Sequence, residues 1–136
     1  PSGRTLAYIA PRLETGRFGS AVITYQSYDK TEKAADEEEE APVTRRWQRE
    51  ETYGPKIVEN LTQAIARDLL CAAMMNLEAA GYRICMHIHD EAVIEMPIGQ
   101  GSLEEACRLM AIAPVWAEGL PLRADGEDDL SFYRKT

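Results

Sequence analysis

Apolar and polar positions along the chain change rhythm several times, and each change predicts an element. Thr5-Leu6-Ala7-Tyr8-Ile9-Ala10, after the Gly3-Arg4 turn and before Pro11, predicts a short strand. Ala21 to Tyr28 is rich in β-branched and aromatic residues and predicts a second strand. Val43 to Glu50 alternates weakly around Trp47 and predicts a third, returning antiparallel to the second. From Tyr53-Gly54-Pro55 the period becomes helical: Ile57, Val58, Leu61, Ala64, Ile65, Leu69, Ala72, Ala73 and Leu77 recur at spacings of one face, and Gly81 supplies a stop. Proline suits a first turn, where its missing N–H costs nothing. This helix reads as mostly buried, with Glu59, Gln63 and Arg67 forming a narrow polar stripe at i, i+4 and i+8.

Tyr82 to Ile88 and Glu91 to Pro97 are near-continuous apolar runs around His89-Asp90, the pattern of a β-hairpin with those two residues at its tip. Ser102 with Glu105 three residues on is a capping-box signature, followed by apolar Leu103, Ala106, Cys107, Met110 and Ala111. Beyond Trp116 the chain offers short extended pieces, among them Leu120-Pro121-Leu122 and Phe132-Tyr133. The order predicts an α+β domain spanning residues 1–136. Its antiparallel sheet carries a central hairpin, and two main helices pack on one face.

Composition narrows the function classes. The 136 residues are 45% hydrophobic and 28% charged, as in a globular domain. No apolar run approaches the roughly 18 to 20 residues that span a membrane, so no membrane partner is expected. The chain opens on Pro1 with neither an initiator Met nor an apolar leader, and reads as cut from something longer. Cys71, Cys85 and Cys107 are sparse and odd in number, which favours reduced thiols and a cytoplasmic setting. The net charge of −8 argues against a free-standing DNA-binding domain, which is usually basic. Five of those negative charges lie in Asp36 to Glu40, inside a segment, 29–42, that reads as a flexible acidic loop.

Candidate chemistry concentrates at the hairpin tip. Asp90 and Glu91 are adjacent carboxylates between apolar strands, where a charge is costly unless it is paired or binds a cation. A hard cation such as Mg²⁺ takes one or two carboxylates and keeps waters or phosphates elsewhere in its shell. On spacing alone, a plain turn residue is the simpler account of Asp90. His87 and His89, two apart in a strand, would face the same way and suit a His-x-His-Asp metal hydrolase, but no third ligand with suitable spacing is evident.

His89-Asp90-Glu91 between hydrophobic strands resembles motif C of family A (DNA polymerase I-type) DNA polymerases, in its phage-like branch. Tyr53 to Asp68, YGPKIVENLTQAIARD, resembles the palm helix that precedes motif C in phage-type members, where the pattern runs roughly TYGGKLVENIVQAIARD. Pro55 here replaces a glycine. Pro1 to Arg4 resembles the LPSGR turn after the fingers. Trp116 to Leu122 and Phe132 to Lys135 resemble the family's C-terminal end. The resemblance spans the chain in family order.

The resemblance implies that this chain is the C-terminal part of a polymerase palm. It implies metal binding by Asp90 with Glu91 beside it, His89 near the primer terminus, and Gln63 against the minor groove of the nascent pair. Arg67 and Lys56 would support the DNA backbone or the glutamine. Better-known members carry asparagine four residues before the glutamine; Glu59 stands there in this chain, and that contact is not carried over. The implied cofactor is Mg²⁺, two ions in an intact parent and weak or no binding in the fragment. The implied partners are primer–template DNA, a deoxynucleoside triphosphate and the remainder of the polymerase chain. Motif A and the fingers are not in this sequence, so the fragment is expected to be inactive alone. A catalytically silent, prophage-derived interaction module is the non-enzymatic alternative.

Overall fold

The computed structural model describes residues 2–17, 19–28 and 47–128. Its elements run β1 (Ile9–Thr15), β2 (Ala21–Tyr28), β3 (Trp47–Thr52), α1 (Gly54–Ala79), β4 (Arg83–Ile88), β5 (Glu91–Glu95) and α2 (Leu103–Met110), then a 3-10 turn at Val115–Ala117. The class is α+β with antiparallel sheets and two helices. The expected single sheet is replaced, among the described residues, by two: β1-β2-β3, and β4-β5 on its own. The chain divides into two compact units, Thr5–Leu61 and Pro1–Arg4 with Thr62–Thr136.

In the first unit, β2 and β3 pair without interruption from Ile23↔Thr52 to Tyr28↔Trp47. The β1 strand lies later than its sequence pattern suggests, and its pairing with β2 slips between Ile9 and Arg12. Pro11 falls in that irregularity, where a residue without an N–H breaks no ladder bond. Ala10 beside it has φ 46°. Arg49 on β3 reaches across the sheet to fasten the irregular edge: its Nη2 donates to the Ala10 carbonyl at 2.8 Å and its Nε to Thr24 Oγ1 at 3.1 Å. β3 continues to Thr52, two residues beyond the expected end. The acidic segment 29–42, the start of the expected third strand at 43–46 and Phe132-Tyr133 lie outside the described residues. Leu120-Pro121-Leu122 forms no strand; Pro121 has no N–H to offer a ladder.

The second unit holds the core that positions the hairpin. Leu77 from α1, Tyr82 and Ala106 from α2 are buried together, with Ile84, Ala92, Ile94, Met96, Leu109 and Met110 packed on them. The buried positions of α1, Leu70, Ala73 and Leu77, all lie in its second half. Val58, Leu61 and Met75 are exposed, so the expectation of a largely buried helix with one narrow polar stripe does not hold. Apolar spacing showed where a helix would form, but not how many of its faces this chain covers.

α1 ends in a Schellman arrangement. The Tyr82 N–H donates to the Leu77 carbonyl at 3.0 Å and the Gly81 N–H to Glu78 at 3.0 Å, with Gly81 at φ 87°. Leu77 and Tyr82 then pack as the apolar pair that accompanies this motif. The Tyr82 hydroxyl completes the start of α2. Ser102 Oγ accepts from the Glu105 N–H at 3.1 Å, as the capping pattern requires. The reciprocal bond runs through tyrosine: the Ser102 N–H donates to Tyr82 Oη at 3.1 Å, and that hydroxyl donates to Glu105 Oε2 at 2.8 Å.

Ser2 and Arg4 clamp Asp68 of α1. Arg4 Nε donates to Asp68 Oδ1 at 2.7 Å, and Arg4 Nη2 and the Ser2 hydroxyl close on the same carboxylate. The Arg4 hydrogen bonds, then the Ser2 hydroxyl, lower the Asp68 pKa from 3.8 to about 2.

Three outcomes follow from these contacts. Gly81→Ala should cost about 1–2 kcal/mol in urea unfolding, because a Cβ there meets nothing within 4 Å and only the positive φ opposes it. Tyr82→Phe should cost on the order of 1 kcal/mol by removing the hydroxyl between Ser102 and Glu105. The Asp68 clamp has a depressed folded pKa, so its contribution is present above an ordinary carboxylate pKa and is lost as pH falls through about 2. Acid titration of the Arg4 and Asp68 NMR signals should show that low midpoint, and Asp68→Asn should abolish it.

Candidate active-site hairpin

The tip is built by two local irregularities. Ile88 pairs with Glu91, leaving His89 and Asp90 as a two-residue turn. His89 has φ 53°, whereas Asp90 is not among the residues with positive φ. Positive φ at the first turn position alone follows the II′ pattern, which glycine ordinarily serves. A histidine held there is strained, and such strain marks a functional hypothesis rather than a folding need.

The second irregularity is a bulge. Pairing slips between Ile84 and Met86, so Ile84↔Ile94 is followed by Met86↔Val93 and His87↔Ala92. Cross-strand partners share a face. The slip therefore puts Ile84 and His87, three residues apart, on the face with Ala92 and Ile94 that meets the core. Met86, Ile88, Glu91 and Val93 take the other face. Simple alternation would have placed His87 with His89 in one strand face; the bulge and the turn separate their roles.

His87 meets Arg67 of α1. Arg67 Nη1 lies 3.2 Å from Nδ1 and Nη2 lies 3.3 Å from Nε2. Arg67 cannot accept, so both contacts are donated by its terminal N–H groups to the ring nitrogens. That occupies His87 with a cation and removes it from a His-x-His-Asp metal site. Among the described residues, no three of His, Cys, Asp and Glu gather as metal ligands.

Asp90 is exposed and Glu91 half-buried. The desolvation argument for a cation at Asp90 therefore weakens: an exposed carboxylate carries no burial cost that demands a partner. What remains is two consecutive carboxylates on a projecting turn, which fits part of the shell of a hard, oxygen-preferring cation that retains waters or phosphate oxygens. Gln63 and Arg67 are exposed on α1, one turn apart. Lys56 lies in the first unit, and its ammonium is taken by Glu59 at 3.0 Å in the first turns of the helix. A shallow depression lined by Glu78, Gly81, Tyr82, Arg83 and Ile84 lies at the start of β4, away from the tip.

Two features were missed in the sequence. The Asp68 clamp joins residues 64 and more apart, which no spacing reveals. The Arg67–His87 hydrogen bonds depend on the bulge at Cys85, for which the sequence has no glycine or other marker. No helix among the described residues is long and apolar enough to cross a membrane.

No protein-family model matches the chain, and no solved structure matches it. Over 127 residues, 93% of its length, the chain is 45% identical to a DNA polymerase of Bacillus phage SP02. The match covers 18% of the phage protein, so the chain spans less than a fifth of the length of the curated relative it resembles. Over nearly its whole extent, then, the chain is similar to one segment of a DNA polymerase.

Proposed function

We propose that this chain forms the motif C portion of the palm in a family A DNA-directed DNA polymerase, where Asp90 and Glu91 serve template-directed nucleotidyl transfer. The observation that carries the reading is the 45% identity to a phage DNA polymerase across 93% of the chain, with the carboxylate pair at the hairpin tip. The strained turn at His89 supports it, since strain at a binding tip holds side chains that a relaxed turn would aim elsewhere.

The residues divide the work by position. Asp90, at the apex, and Glu91, opening β5, offer carboxylate oxygens to the transferring phosphate's counterions. Bound Mg²⁺ ions would offset charge on the attacking and leaving oxygens of the displacement. His89 precedes the carboxylates in the turn and lies close to the primer end. Gln63 presents an amide that donates and accepts, which suits base edges in a minor groove, where acceptors predominate. Arg67 faces the backbone. Lys56 would reach DNA only by releasing Glu59. The parent protein, primer–template DNA and a deoxynucleoside triphosphate are the partners.

Alone, the chain should not extend a primer. Two adjacent carboxylates recruit Mg²⁺ weakly because this ion gives up water reluctantly. The polymerase reading assigns triphosphate alignment to fingers residues outside this sequence, so the positioning contribution would be missing as well.

The test is a graft: the matched segment of the Bacillus phage SP02 polymerase is replaced by this chain and assayed for primer extension. Asp90→Asn in the graft should lower turnover at least 100-fold, roughly 3 kcal/mol of barrier, with DNA affinity little changed. An Asp90→Asn graft as active as the parent graft would sink the proposal, as would template-dependent extension by the isolated chain. Gln63→Ala should reduce the efficiency of extending the terminus while metal dependence stays the same. His89→Gly separates strain from function. It should leave thermal stability equal or raise it by about 0.5–1 kcal/mol, while primer extension falls.

A further inference from the structure

Surface segments outside helices and strands are ordinarily polar and mobile. The stretch that follows α2 is neither. Residues 109–117, LMAIAPVWA, carry no charge, although 28% of the whole chain is charged; Arg108 and Glu118 bound the run. Leu109 and Met110 pack on the core of the second unit, and Ala117 is buried. Three aliphatic side chains are left to solvent instead: Val115 is 92% exposed, Ile112 46% and Leu120 45%. Their backbone is fastened. The Ile112 N–H donates to the Leu109 carbonyl at 3.3 Å, the Ala117 N–H to Pro114 at 2.8 Å and the Leu120 N–H to Ala117 at 3.0 Å. Pro114 and Pro121 fix φ within the same stretch. Scattered exposed aliphatics are ordinary, but several held outward on one ordered, uncharged segment have the make-up of an interface core.

Charge and length select the occupant. A nucleic acid fits poorly, because the run offers a phosphate no cation. A second copy would bring another −8 to a chain already at −8, which opposes self-association. The phage polymerase that the chain resembles has 82% of its length outside the matched segment. Resting on the polymerase reading above, we propose that residues 112–120 form an interface with an apolar, uncharged surface of the remaining polymerase chain. Val115 is its centre, with Ile112 and Leu120 beside it in sequence. Buried Ala117 is the anchor that keeps this segment in place. Covering the three aliphatics recovers about 25 cal/mol for each Å² of apolar surface removed from water.

The test is hydroxyl-radical footprinting of the folded graft in the Bacillus phage SP02 polymerase, with each side chain's rate divided by its rate in the urea-denatured graft. At 92% exposure Val115 would react almost as fast folded as denatured. Covered by the rest of the polymerase, it should react at least about five-fold more slowly, as a side chain in a dry interface core does. Protection should survive an about ten-fold dilution, which would dissolve a contact between copies. Val115→Asp should raise the rates of Ile112 and Leu120 toward about half their denatured values, because a charge is excluded from such a core. Val115→Ser gives the same reading with a smaller rise where the aspartate prevents folding. Ile98→Asp, a change at a fully exposed side chain outside the segment, should leave Val115 protected. Val115 reacting as fast folded as denatured, protection lost on dilution, or Ile112 and Leu120 unmoved by both Val115 variants overturns the proposal. A graft that folds only when Val115 is changed also counts against it. Primer extension by the same graft bears on the polymerase reading: an active graft with Val115 unprotected sinks this inference alone, and an inactive graft with Val115 protected leaves it standing.

Discussion

The place where α1 stops sets the rest of the second unit. Gly81 takes a backbone conformation that a side chain resists, and this brings Tyr82 back over Leu77. One residue then serves three elements. The Tyr82 ring packs between α1 and α2, its N–H closes α1, and its hydroxyl joins the Ser102 N–H to the Glu105 carboxylate at the start of α2. β4 begins at the next residue, so the direction in which the hairpin leaves the helix is fixed by the same turn. Gly101, at φ 72°, lies against the Tyr82 ring, where an added Cβ would come within 2.9 Å. The approach to α2 is thus shaped around that ring.

From that anchor, positional control passes along the hairpin by pairing alone. Ile84↔Ile94 seats the base of the hairpin in the core. The slip after Ile84 then redistributes the faces, sending His87 to the helix side and Glu91 to the other. The tip is therefore defined twice, by the strained φ of His89 and by the register beneath it. A one-residue slip would exchange the two faces; the apolar contacts of Ile84, Ala92 and Ile94 oppose that slip, because it would carry them out of the core.

Much of this was legible in the sequence, for identifiable reasons. The β2 boundaries, the α1 start and stop, the two-residue turn and the Ser102 cap rest on local chemistry: β-branched runs, Gly and Pro at element ends, and a serine three residues before a glutamate. What was missed is non-local or geometric. The separation into two sheets depends on pairing between distant strands. The irregular start of β1 is accompanied by a bond from Arg49 of another strand to the Ala10 carbonyl, which no local pattern reveals. The exposure of Val58, Leu61 and Met75 depends on which partners the chain supplies, which periodicity does not encode. At the tip, sequence located Asp90 and Glu91 but misjudged their surroundings: flanking apolar strands suggested burial, whereas a turn apex projects beyond both strands into solvent.

The net charge of the chain, −8 overall, limits how it could meet a nucleic acid, and charge pairing leaves that excess untouched. Along α1, Lys56 is matched by Glu59 and Asp68 by Arg4, so these charges largely cancel within the protein. Arg67 lies between those two pairs in sequence, and its terminal N–H groups reach the ring nitrogens of His87 instead. A long-range attraction to DNA would require net positive charge, and this chain cannot provide it. Under the polymerase reading, an acidic segment of this kind would rely on other parts of a larger protein to bring the nucleic acid near.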